Sequence, residues 1–541
     1  MLCVVLALAF ASAPADLVVR NARIWSDGLP AFAESLAVRD GRFVHVGGER
    51  SDLVGPHTQV VDAGGRVIVP GLIDSHIHMV SGGLGLSQIV LRDARDRDDF
   101  VRRVREFSEG LPTGKWLIGG RWSVESWTDR SSPRKEWIDA ATRGRPAFLT
   151  RMDGHSALAN SEALRLAGIT ATGPKDPEGG VIERDASGEP TGILKESAMG
   201  LVSRLIPPAS VEDRRAALGA VIRHVNAFGV TAVADITSVG ATVEYGSLPE
   251  AEATCRMYLY PVTGSTEGLG ETAKSTRRAG GWYRLNGFKA YLDGTLGSRT
   301  AMMAAPFLGN PAGQENWRGL FREGIEDGRF ARNVATAARE GVQTIAHAIG
   351  DEANRTLLDI LSNAYGNELK AARCRSEHAQ HLLPEDIERF ARLGVIASMQ
   401  PYHKADDGRY AESYLGEERC KSSYAFRSLL DRGAVVVFGS DWPVVSANPW
   451  LGVEAAVTGK TLAGQVWMPQ ENLAVAEALR CYTSRAAYAV FAEDEIGRIA
   501  PGLRADFLIL NRSPFDKNVE WGAIRPESLY FGGKRVEAAG P

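Results

Sequence analysis

The chain has 541 residues, of which 44% are hydrophobic and 24% charged, an ordinary globular balance with enough apolar material for a large core. Its formal net charge of −4 argues against a nucleic-acid partner, because phosphate binding wants a clustered positive surface. At roughly 100–200 residues per domain the length allows several domains, although a barrel alone can absorb about 250.

The chain opens on an almost wholly apolar run, Leu2 to Phe10, followed by small residues as far as Ala15. Ala13-Pro14-Ala15 fits the small-x-small pattern of a signal-peptidase site, so residues 1–15 read as a signal peptide and the product as periplasmic or secreted. The segment carries no Lys or Arg, and a misplaced start would instead leave the chain cytoplasmic. A bilayer-spanning helix needs about 20 apolar residues, and neither this run nor any later one is long enough. Of the five cysteines, Cys3 would leave with the signal. Cys255, Cys374, Cys420 and Cys481 show no C-x-x-C pair and read as core residues.

Residues 16–70 read as short strands with turns. Leu17–Val19 and Leu36–Val38 are strand-like, and Asp40-Gly41 between apolar runs signals a hairpin. The same texture returns over residues 497–541, with strands at Ala505–Leu510 and from Ser528 to a turn near Lys534. One small β-sandwich domain built from both ends is expected. Between them lies the expected barrel, residues 71–496, and the middle of the chain alternates strands with helices. Strands are expected at Val67–Val69, Thr231–Asp235, Gly287–Leu292, Val342–Ala346, Arg375–Ala379, Val395–Gln400 and Ala434–Gly439. Helices are expected at Phe330–Glu340, Asp351–Ala364 and Pro384–Leu393, the last with proline in its first turn. This order predicts an α/β fold with a parallel sheet, closed most economically into a (β/α)8 TIM barrel. Residues from about 95 to 205 exceed a single βα unit and read as an inserted α/β region.

Asp74-Ser75-His76-Ile77-His78 follows an apolar strand, where residues two apart share a side. His76 and His78 can thus offer two imidazoles to one cation, imidazole being the commonest metal ligand. Thr344 to His347 ends a second apolar strand with a histidine, Cys374 to His378 a third, and Val437 to Asp441 the last with an aspartate. Each is a metal-capable residue where a barrel strand meets its catalytic loops. Alone, each could be a core histidine or a helix-capping aspartate.

Strand-end H-x-H, two later histidines and a final aspartate resemble the amidohydrolase superfamily. PGLIDSHIH, RMDGHSALANS, GFKAYLDGTLGSRTA, AHAIGDEAN, EHAQH, SMQPYH and GSDWPV resemble its amidohydrolase-3 (YtcJ-like) group, which includes N-substituted formamide deformylase. The resemblance implies a small-molecule amide substrate and a divalent metal, expected to be zinc, as one or two ions. It adds Lys289 as a further ligand, carboxylated by CO2 to a carbamate bridging two metals; an unmodified Lys289 paired with Asp293 or Asp441 is the alternative. Hydrolysis of an amide, formamide or cyclic amide bond is then expected by attack of metal-bound hydroxide, with Asp441 moving the proton. A deaminase or esterase on the same site, or a non-catalytic binding or regulatory protein, is the rival reading.

His155 beside Arg151, and His403 after the seventh strand, are similar to substrate-facing residues of the group; loop-stabilising roles are the alternative. Arg299 would hold an anionic substrate group or order its own loop. His381 reads as structural, and His45, His57 and His224 lie outside any motif. A homo-oligomer is compatible with the sequence and not specified by it.

Overall fold

The computed structural model describes residues 13–27, 32–124, 127–129, 131–152, 155–238, 245–279, 281–310, 312–322 and 324–537. The apolar run Leu2–Phe10 lies outside them. Ala15, the residue before the expected signal cleavage, is buried, donates to Leu53 O and accepts from Thr58 Oγ1. No helix among the described residues is long and apolar enough to cross a membrane.

The central sheet is a barrel of eight parallel strands. They are β1 (Leu72–Ile77), β2 (Val230–Ser238), β3 (Arg256–Val262), β4 (Gly287–Tyr291), β5 (Gln343–Ala348), β6 (Arg375–His378), β7 (Ile396–Met399) and β8 (Val436–Phe438). Each pairs with the next in chain order from β1 to β8. The seam between β8 and β1 is held beyond the strand ends: Asp441 N–H donates to His76 O at 2.7 Å, and Ser440 N–H to Asp74 Oδ1 at 2.9 Å. Gly439 makes this approach possible, since a Cβ there would lie 2.4 Å from His76 N.

Helices fall between the strands where their periodicity puts them. Arg329–Glu340 buries Phe330, Val334 and Ala337, one stripe at helical spacing, and stops at Gly341 with φ 67°. Asp351–Tyr365 and Pro384–Leu393 follow β5 and β6. Two strand readings change. Val67–Pro70 does not belong to the barrel; it pairs with Arg23–Trp25 and Phe507–Leu510 in a separate sheet, and the barrel strand begins after Gly71. β3 was not expected at all.

Strands from both chain ends form two sheets, one four-stranded and one six-stranded. They share a core that includes Leu36, Phe43, Ile68 and Phe507, with Phe507 stacked on Tyr530 at 4.4 Å. The Arg39–Arg42 hairpin turns through Asp40 (φ 51°) and Gly41 (φ 71°), as an Asp-Gly pair favours. The four expected core cysteines are buried and free.

Residues 81–217 form a compact unit of their own, wider than the span of about 95 to 205 read from the sequence. It carries a six-stranded sheet that includes Leu117–Trp122, Ala147–Arg151 and Ser156–Ala159, with cores built on residues such as Phe100, Leu149 and Leu194.

Candidate metal centre

The C-terminal ends of β1, β4, β5, β6 and β8 bring His76, His78, Lys289, His347, His378 and Asp441 around a cavity of about 460 Å³. Asp441 is the hub. Its Oδ1 lies 3.1 Å from His78 Nε2 and 3.4 Å from His76 Nε2, while its Oδ2 lies 3.8 Å from His403 Nε2. The His76 and His378 rings are 5.0 Å apart, and those of His347 and His378 are 4.5 Å apart. Lys289 Nζ, almost fully buried, sits 3.4 Å from His76 Nε2 and over the Tyr291 ring. It forms no ion pair with Asp293, which instead accepts from the backbone N–H groups of Met302, Ile349 and Gly350.

Partner chemistry fixes the tautomers. The Glu377 carboxylate accepts from His76 Nδ1, so the lone pair of Nε2 is turned to the cavity. The Gln400 side-chain oxygen accepts from His378 Nδ1 at 2.7 Å and leaves Nε2 free in the same way. His347 differs: its Nε2 donates to Gly294 O at 2.9 Å, which keeps the lone pair on Nδ1. Burial lowers the His76 imidazole to about 4 and holds His378 well below the usual histidine range, so both are neutral, as a ligand must be. Burial opposes ionisation of Asp441, but its contacts with the ring nitrogens of His76 and His78 and the nearby His378 and His403 outweigh it and hold the carboxyl well below its usual range.

These residues fit a cation. His76, His78 and Asp441, and separately His378, His403 and Asp441, each present three donor atoms within 4.8 Å of one another. His403 Nε2 is buried without a hydrogen-bond partner, an orphan that a cation or substrate would satisfy. The backbone is strained at the same place: His378 has φ 78° and Asp441 φ 57°, both left-handed. The His378 value has a use. Ordinary strand alternation sends neighbours to opposite sides, yet Glu377 reaches His76 and the next residue, His378, also turns towards it.

Beneath the centre lies a pair that the sequence reading passed over. Arg375 Nε donates to Glu377 Oε1 at 2.6 Å, and both side chains are fully buried. Their spacing of two within β6 was the available signal. Asp74 was also passed over as a separate participant. It accepts from the N–H groups of His76 and Ser440, and burial raises its carboxyl to about 6.

Other expected substrate contacts are placed as follows. His403, in the helix Pro401–Asp407, lines the cavity. Arg299 does not; it donates to Gly309 O at 3.0 Å and lies over Tyr414 at 4.3 Å, ordering its own loop. The cavity's arginine is Arg322, which lies over Tyr291 at 5.3 Å and pairs with no carboxylate among the described residues. Arg151 and His155 belong to the unit of residues 81–217. There Arg151 lies over Trp122 at 5.8 Å and His155 Nδ1 is 3.1 Å from Glu196 Oε1. His381 is buried with its Nδ1 2.7 Å from Ser423 Oγ, a structural contact.

Residues 59–537 match the sequence profile of the amidohydrolase family. The chain is 36% identical over 543 residues to the protein LONG AFTER FAR-RED 3 of Arabidopsis thaliana, covering 96% of this chain and 91% of that one. It is 27% identical to an N-substituted formamide deformylase of Arthrobacter pascens, covering 93% and 94% of the two chains. Among solved structures, an uncharacterized metal-dependent hydrolase from Pyrococcus furiosus superposes with a TM-score of 0.74 at 25% identity, over 92% of this chain and 100% of that one.

Proposed function

The chain belongs to the amidohydrolase family and is a hydrolase of carbon–nitrogen bonds, and from that premise we propose that it opens an amide, formamide or cyclic amide bond of a small molecule at a divalent-metal centre. The observation that carries this reading is the gathering of His76, His78, Lys289, His347, His378 and Asp441 around one cavity at one end of the barrel, with His76 and His78 in contact with the Asp441 carboxylate.

Imidazole nitrogen with carboxylate oxygen is a donor set that suits zinc. A divalent ion in such a set acidifies water towards a pKa of about 7 and polarises a carbonyl oxygen. His76 and His378 are oriented for it by Glu377 and Gln400, which hold their far nitrogens.

Lys289 supports a two-ion form. Burial pulls its ammonium down to about 8, so part of it is neutral at physiological pH. A neutral amine adds to CO2: the Nζ–C bond forms, Nζ loses a proton, and the resulting carbamate would offer oxygen ligands to a metal centre held by the histidines and Asp441. Asp441, charged and shielded from bulk solvent, takes a proton at Oδ from the attacking water and delivers it to the leaving nitrogen. His403 and Arg322 line the cavity where the rest of the substrate sits.

The test is Asp441→Asn, assayed on a panel of N-substituted formamides, open amides and cyclic amides. Turnover is expected to fall by about 10²–10⁴-fold, the usual contribution of a positioned proton carrier. Undiminished turnover in a metal-loaded variant would remove Asp441 from the mechanism.

A further inference from the structure

At the other end of the barrel, away from the candidate metal centre, a second cavity of about 500 Å³ opens where β3 begins. The two ends are fixed by β3 itself: Arg256 to Tyr258, at its start, line this cavity, whereas Val262, at its end, pairs in register with Lys289. The volume lies within the range of small-molecule sites.

Its lining is strongly cationic. Arg42, Arg256, Arg277, Arg284 and Arg504 face one lining carboxylate, Glu495. That carboxylate is already divided between Arg284 at 3.4 Å and Arg504 at 3.2 Å. Arg256 is paired with Asp506 behind the wall, and Arg42 donates to Gly502 O and pairs with no carboxylate among the described residues. Arg277 pairs with no carboxylate among the described residues; it lies over the Phe491 ring at 5.9 Å. Burial and then the like charge of Arg284 lower its proton affinity, the mark of a cation short of a counter-charge. Arg284 Nε is buried with no hydrogen-bond partner. Arg284 spends its other donors on Glu495, Val490 O and Phe491 O, so the lining still holds more guanidinium donors than its single carboxylate can satisfy.

We propose that this cavity is a second ligand site, for a small molecule carrying a phosphate group. Arginines approach from several elements: the hairpin at Arg42, β3 at Arg256, the helix Leu269–Ala279 at Arg277, and the strand Tyr283–Leu285 at Arg284. A tetrahedral oxyanion offers acceptors in as many directions, while a single carboxylate offers one plane. The site is independent of the hydrolytic reading, since it shares no residue with the metal centre.

The experiment is calorimetric titration of the metal-loaded protein with inorganic phosphate, in buffers of constant ionic strength made up with chloride. One phosphate per chain is expected. Arg277→Glu should weaken it by about tenfold or more, as loss and reversal of a charged donor would; Arg277 is largely exposed and pairs with no carboxylate among the described residues, so the variant keeps its fold. His347→Ala, which disturbs only the metal centre, should bind phosphate as the wild type does. An absence of saturable binding overturns the proposal. So does binding that Arg277→Glu leaves unchanged, or binding that disappears in His347→Ala alone and therefore belongs to the metal centre.

Discussion

His76 Nδ1 and the Glu377 carboxylate, 301 residues apart in the chain, share a hydrogen bond beneath the candidate metal centre, and Arg375 holds the other oxygen of that carboxylate. Glu377→Gln should lower metal affinity about 10–100-fold by loosening the His76 ring, as read by competitive titration with a chelating dye. The same change strands a buried Arg375 charge and should cost about 3–5 kcal/mol in urea unfolding. Arg375→Met combined with Glu377→Gln should restore much of the stability and none of the affinity. Equal recovery of both would mean that the pair acts only through stability.

Lys289→Arg keeps a cation at the position but cannot be carboxylated. If the carbamate forms, the wild type should contain about two ions per chain and the variant about one, by elemental analysis. A wild type with a single ion would leave Lys289 as a plain amine.

Arg322 is the cavity cation without a carboxylate partner among the described residues, held over Tyr291. Arg322→Met should raise KM for amides carrying a carboxylate about tenfold or more, with kcat little changed, and leave neutral amides alone. A loss shared equally by both classes would assign Arg322 to the loop rather than to the substrate.

Acid stability should depend on Asp27. Burial disfavours its charge, but Ser484 Oγ and the Arg480 guanidinium outweigh that and lower its pKa. A depressed carboxyl stabilises the fold above its unfolded pKa of about 3.9, and that contribution fades as pH falls through the lower, folded value. Asp27→Asn should therefore destabilise the protein at pH 6 and converge with the wild type below about pH 4. Urea midpoints from pH 6 to well below pH 4 check the sign; a gap that stays constant over that whole range would rule out linkage at Asp27.

The metal-capable positions were legible because each closes its own apolar strand: His76, His347, His378 and Asp441 could be found without knowing which strands are neighbours. The Arg375–Glu377 pair was not, because its meaning depends on His76 across the barrel. β3 escaped because Arg256 and Pro261 interrupt a short apolar run with no ligand to mark its end. The compact unit is wider than the span read from the sequence for a different reason. Its first residues, Ser81 to Leu91, read locally as ordinary loop and helix, and only their packing assigns them. Arg299 and Arg322 illustrate the limit for surface cations, since a guanidinium that orders a loop and one that faces a cavity have the same local sequence texture.

Val67–Pro70 finds its antiparallel partner in Phe507–Leu510, more than four hundred residues downstream. During synthesis the first of these segments leaves the ribosome long before the second exists. An emerging chain can pair this wholly apolar strand with Arg23–Trp25 on one edge but leaves its other edge open for most of translation, a hazard for association with other nascent chains. The order of assembly is fixed by this pairing: the amino-terminal strands wait, and the carboxy-terminal segment completes the molecule.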